Sequence, residues 1–93
     1  TQDDAQKIAG ALVQKRLAAC VQVVGPIAST YWWQGQVESA EEWLCLIKSS
    51  RRVYPELEAA LTDLHPYATP EIIAAPIVAG SPAYLSWLAN ELK

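Results

Sequence analysis

Residues 27–48 read IASTYWWQGQVESAEEWLCLIK, and the interpretation of this stretch decides the fold. Gln34, Gly35 and Gln36 form a turn between two runs of period-two alternation, the pattern of a β-hairpin. On the second arm, Val37–Ser49, the side chains of Trp43, Cys45 and Ile47 share one face, and those of Leu44, Leu46 and Lys48 the other. The first arm runs back to Cys20 as Cys20–Val24 and Ile27–Trp33. A bulge or bend is expected at Gly25-Pro26, because proline cannot donate to a ladder. Both arms are more than twice the usual strand of about 5–6 residues, so the hairpin overhangs its own sheet. Alternation sends Tyr31 and Trp33 to one face of the overhang and Trp32 to the other. A chain of 93 residues has little material left to cover both. The expectation is a hairpin packed on neighbouring subunits in a closed ring.

Helices flank this hairpin. Thr1-Gln-Asp-Asp4 carries a hydroxyl cap and acids in a first turn, and Ala5, Ile8, Ala9, Leu12, Val13 and Leu17 then recur at helical spacing. The spacing predicts a helix over 2–18 that ends in the basic residues Lys15 and Arg16. A second helix is predicted over 51–64, with Ser50 as cap, Pro55 in the first turn and Leu57, Ala60, Leu61 and Leu64 as its buried stripe. Residues 71–78 read as an apolar strand, at a sheet edge because of Pro76. Gly80-Ser81-Pro82 starts a last helix whose apolar contacts are Ala83, Tyr84, Trp87, Leu88 and Leu92. The order α-β-β-α-β-α places residues 1–93 in one α+β domain with helices on one face of a small sheet. It is one strand short of the split β-α-β-β-α-β arrangement, whose first strand lies mid-sheet.

Composition removes several functions. Seven Lys and Arg against ten Asp and Glu give a net charge of −3, too little basic surface for a broad nucleic-acid face. No run approaches the roughly 20 apolar residues of a membrane span, so neither nucleic acid nor membrane is an expected partner. Charged residues are only 18% of a chain that is 52% hydrophobic, which points to surface covered by a partner chain. Cys20 and Cys45 lack a metal-ligand spacing and read as buried reduced thiols of a cytoplasmic protein.

Chemistry-bearing residues are few. His65, the sole histidine, stands between a helix end and Pro66, where it caps carbonyls, packs its ring or contacts a ligand. Glu71 follows Pro70 at a strand mouth near His65 and can hold a cation or a hydroxyl. Lys48 ends an apolar strand, as a snorkelling edge residue or an anion contact. Tyr31, Trp32 and Trp33 can stack a base or sugar, though packing is the plainer role without a basic surround. Phosphate-binding glycine loops and paired-carboxylate patterns are absent, and motif reading alone finds no enzyme.

Arg16-Leu-Ala-Ala-Cys20, Tyr31-Trp-Trp-Gln-Gly35, Ile47-Lys48, His65-Pro-Tyr-Ala-Thr-Pro-Glu-Ile72 and Tyr84-Leu-Ser-Trp87 occur in order from the first helix to the last. Together they closely resemble the CutA family of divalent-cation-tolerance proteins. The resemblance implies a ferredoxin-like fold and a tight homotrimer in which the long hairpin pairs across subunits, similar to the PII signalling proteins in architecture. It also implies tolerance to copper or other divalent metal ions, and no enzymatic activity. Family members begin with a hydrophobic strand before the position of Thr1, so roughly ten further N-terminal residues are expected in the natural protein. The copper site proposed for some members uses a cysteine of that strand and two adjacent histidines. Here those two positions are Leu64 and His65, leaving His65 as the metal candidate.

Three functions follow. The first is a homotrimeric divalent-cation tolerance protein that binds copper or another divalent ion through His65. The second is a PII-like sensor with a metabolite in a cleft between subunits, lined by Tyr31, Trp32, Lys48, His65, Glu71, Tyr84 and Trp87, with Trp33 at the trimer interface. The third, a hydrolase using His65 and Glu71, has least support.

Overall fold

The computed structural model describes residues 1–93 as α1 (Gln2–Gln14), β1 (Cys20–Trp33), β2 (Gln36–Lys48), α2 (Tyr54–Leu64) and α3 (Pro82–Glu91). The two strands form one antiparallel sheet. The Thr1 hydroxyl accepts from the Asp4 N–H and opens α1, with Asp3 and Asp4 in its first turn.

α1 stops earlier than its periodicity predicts. The helix closes at Gln14 with Lys15 as cap, and Arg16 turns left-handed with φ 58°. The Leu17 N–H then donates to the Leu12 carbonyl and the Arg16 N–H to the Val13 carbonyl, each at 3.0 Å. This nested pair of bonds is a Schellman termination, which satisfies carbonyls that the helix leaves free. Lys15 and Arg16 therefore lie beyond the last turn rather than forming its basic end.

The hairpin follows the sequence closely. Trp33 faces Gln36, and the two residues between them, Gln34 and Gly35, have φ 50° and 80°, the left-handed pair that a tight two-residue hairpin needs. Val24 pairs with Leu44, and the next pair is Ile27 with Glu42. Gly25 and Pro26, joined by a cis peptide, thus stand against Trp43 alone, which makes the expected bulge. Val21 and Ile47 turn toward the helices, while Val24, Leu44 and Leu46 remain exposed on the other side.

Nine buried residues make the core: Ile8, Leu12, Leu17, Ala18, Val53, Leu57, Leu61, Leu88 and Leu92. All three helices contribute, and the hairpin base closes the cluster through Val21 and Ile47. The far half of the hairpin projects away, giving a molecule 45 × 26 × 22 Å.

Other expectations change. α2 begins at Tyr54 instead of Arg51, because the preceding residues form a turn in which the Val53 N–H donates to the Ser50 hydroxyl at 3.4 Å. Val13, Leu64, Tyr84 and Trp87 are exposed and not in the buried stripes, since Leu12, Leu61 and Leu88 occupy the places facing the core. Both cysteines are free but half-buried instead of buried. Residues 71–78 carry no strand, and Val78 is 92% exposed. A strand exists only where a neighbour pairs with it. β1 and β2 pair with each other, and neither forms a ladder with this segment.

Candidate functional site

His65 caps α2: its N–H donates to the Leu61 carbonyl at 2.9 Å, and its backbone turns extended. Pro66 redirects the chain and brings the Tyr67 N–H back onto His65 Nδ1 at 3.1 Å. The Tyr67 ring lies 4.9 Å from the imidazole. Because Nδ1 accepts this bond, the neutral ring carries its proton on Nε2. A metal ion takes a lone pair from the neutral ring. Coordination through Nδ1 displaces the Tyr67 N–H, and coordination through Nε2 moves a proton to Nδ1, opposite that N–H.

No group of three or more His, Cys, Asp and Glu side chains converges in the chain. Glu71 is exposed and makes neither an ion pair nor a hydrogen bond with His65. A closed, selective metal site needs several donors in fixed geometry. The donors of one chain do not provide that set.

Lys48 stands at the hairpin base, where its ammonium donates to the Gln22 amide oxygen at 2.7 Å. The pairing of Cys20 with Lys48 puts Gln22 on the same face of the sheet, so the register creates this contact. Tyr31 and Trp32 lie at the opposite end, with Trp32 74% exposed. At about 3.3 Å per residue, Tyr31 and the Cys20–Lys48 pair are roughly 35 Å apart along β1. The seven residues of the expected cleft therefore cannot meet within one chain. Tyr84 and Trp87 do meet, one helical turn apart on α3, with ring centroids separated by 5.6 Å.

Burial pushes the Cys45 thiol pKa up, which disfavours the thiolate needed for metal binding or nucleophilic attack. Sequence reading missed Arg16 and Glu91. Arg16 Nη1 donates to the Glu91 carbonyl at 3.2 Å and to its carboxylate at 3.1 Å, tying the end of α1 to the end of α3. Nothing in the sequence marks residue 16 as left-handed, because the usual glycine is absent.

No helix is long and apolar enough to cross a membrane. Comparison with known proteins adds what the single chain lacks. The family described as CutA1 divalent ion tolerance protein matches residues 1–91. The divalent-cation tolerance protein CutA of Thermus thermophilus is 46% identical over 88 residues, covering 95% of this chain and 85% of that one. The chloroplastic protein CutA of Arabidopsis thaliana is 42% identical over 88 residues; the alignment covers 95% of this chain and spans about half, 48%, of that relative. Since that relative is described as chloroplastic, family membership does not establish the expected cytoplasmic location. The solved Cut A1 structure from Thermus thermophilus superposes with TM-score 0.97 at 43% identity, over 100% of this chain and 90% of the other. The expected α+β class and ferredoxin-like relationship hold, and the chain belongs to the CutA1 family of divalent ion tolerance proteins.

Proposed function

We propose that this protein serves divalent-cation tolerance as a homotrimer, with the open face of the hairpin as its assembly surface and His65 as its contact for copper or another divalent ion. The carrying observation is the exposure of Val24, Leu44 and Leu46 on one face of the hairpin base, continued on that face by Tyr31 and Trp33 at its tip, with Trp32 and Val37 exposed on the reverse. An apolar surface of that length on a projecting arm is stable in water only when covered. The expected cleft residues, far apart in one chain, can come together only between copies. His65 alone gives weak metal binding, so tight binding requires donors from a second subunit.

A PII-like sensor is the second reading, favoured by the exposed Tyr84–Trp87 pair, which offers aromatic surface to a small molecule. Calorimetric titration of the assembled protein with Cu²⁺, beside His65→Ala, separates the two. Micromolar or tighter binding that the variant loses supports the metal reading. Weak binding unchanged by the variant overturns it and leaves the sensor.

A further inference from the structure

The conformation of Arg16 is not explained by stability. It occupies the C′ position of the Schellman termination with φ 58°, where glycine fits without strain. For an L-residue the left-handed conformation is strained, because Cβ crowds the following carbonyl oxygen. The compensating ion pair with Glu91 is open to water, its side chains 58% and 43% exposed. Exposed pairs contribute little, since water and salt screen them and ordering two long side chains costs entropy. Glycine would terminate the helix at least as well, so the guanidinium is held here for what it presents.

It presents a free edge. Only Nη1 is engaged, on the Glu91 carbonyl and carboxylate, while Nε and Nη2 make no hydrogen bond. The Lys93 N–H donates to the Arg16 carbonyl at 3.0 Å, fixing the backbone behind the side chain. Arg16 lines a cleft of about 230 Å³ between the end of α1 and α3, with Val13 and Ala18 from one side, Trp87 and Glu91 from the other, and Gln14 beside it. Trp87 is 44% exposed and its indole N–H has no partner. Such a cleft is too small for a drug-sized ligand, whose sites run to about 300–1,000 Å³.

We propose that this cleft binds a small aromatic monocarboxylate, its carboxylate held by the Nε and Nη2 edge of Arg16 and its ring against Trp87 and Val13. The planar fork of an arginine matches a carboxylate with two parallel bonds, and lysine cannot reproduce it. Glu91 completes the arrangement by holding Nη1, so that the opposite edge points to the ligand. This site shares Trp87 with the Tyr84–Trp87 surface, but its recognition of charge comes from Arg16, and it uses neither Tyr84 nor His65.

The test uses benzoate, benzamide and benzamidine as probes of equal shape and different charge. Binding is read from the Trp87 indole N–H resonance, assigned with Trp87→Phe. Benzoate is expected to give a saturable shift with Kd on the order of millimolar, the range for so few atoms. Benzamide and benzamidine should bind at least about tenfold more weakly. Arg16→Gly, which suits the left-handed backbone, should keep the fold and lose the benzoate shift, and Arg16→Lys should weaken it at least about tenfold. Equal binding of benzamide, no saturable shift with benzoate, or wild-type affinity in folded Arg16→Gly would overturn the assignment.

Discussion

The indole of Trp43 lies directly over Gly25, so that a Cβ added at Gly25 would stand 2.6 Å from Trp43 Cδ2. The contact links the two sides of the bulge: Gly25 and Pro26 occupy the space opposite a single residue, and the ring of that residue fills the gap. Gly25→Ala should destabilise the protein by about 2 kcal/mol or more, because ring or strand must move. Trp43→Ala removes the obstacle, so adding Gly25→Ala to it should cost much less. A thermal double-mutant cycle measures this coupling, and additive effects would refute the steric account.

The long hairpin makes assembly the next prediction. The protein should scatter light with three times its 10.2 kDa chain mass at micromolar concentration. Trp33→Ala should weaken that association by about 2–4 kcal/mol if the ring is a buried anchor between copies. A wild-type mass of one chain excludes the ring, and an unchanged trimer in the variant makes Trp33 peripheral.

Cys45 gives a pH dependence whose sign is fixed. Burial raises its thiol pKa above the unfolded value, so the folded chain keeps a proton that the unfolded chain releases. With more protons bound in the native state, this contribution to stability is fully present below the ordinary thiol range, about 8.5. It declines as pH rises toward the folded pKa. The decline in denaturation midpoint over that range should be shallower in Cys45→Ala, and native Cys45 should alkylate slowly at pH 8. Equal slopes in both proteins would remove Cys45 as the cause.

Local chemistry explains which parts of this fold the sequence reveals. The hairpin is legible because alternation, a turn glycine and Gly25-Pro26 all act within a few residues. The end of α1 is not: Leu17 continues the helical spacing, and the left-handed residue is an arginine instead of glycine. Residues 71–78 have strand composition, but pairing depends on a neighbour that no local pattern supplies. His65 stands out as the only histidine. The engagement of its Nδ1 by the Tyr67 N–H depends on the turn around Pro66 and emerges only in three dimensions. Arg16 and Glu91 are 75 residues apart in sequence, so their contact lies beyond local patterns altogether.

Their contact supplies the last prediction, since strain and ion pairing at Arg16 can be separated by two substitutions. Arg16→Gly removes the guanidinium but relieves the left-handed backbone, and the loss of an exposed pair roughly offsets the gain. Its melting temperature should stay near that of the wild type. Arg16→Ala removes the same guanidinium and keeps an L-residue at φ 58°, so it should be less stable than Arg16→Gly by about 1 kcal/mol. Chemical denaturation of the two variants measures this difference directly. If alanine and glycine prove equally stable, the left-handed turn carries no cost, and the reason to seek a function for the arginine disappears with it.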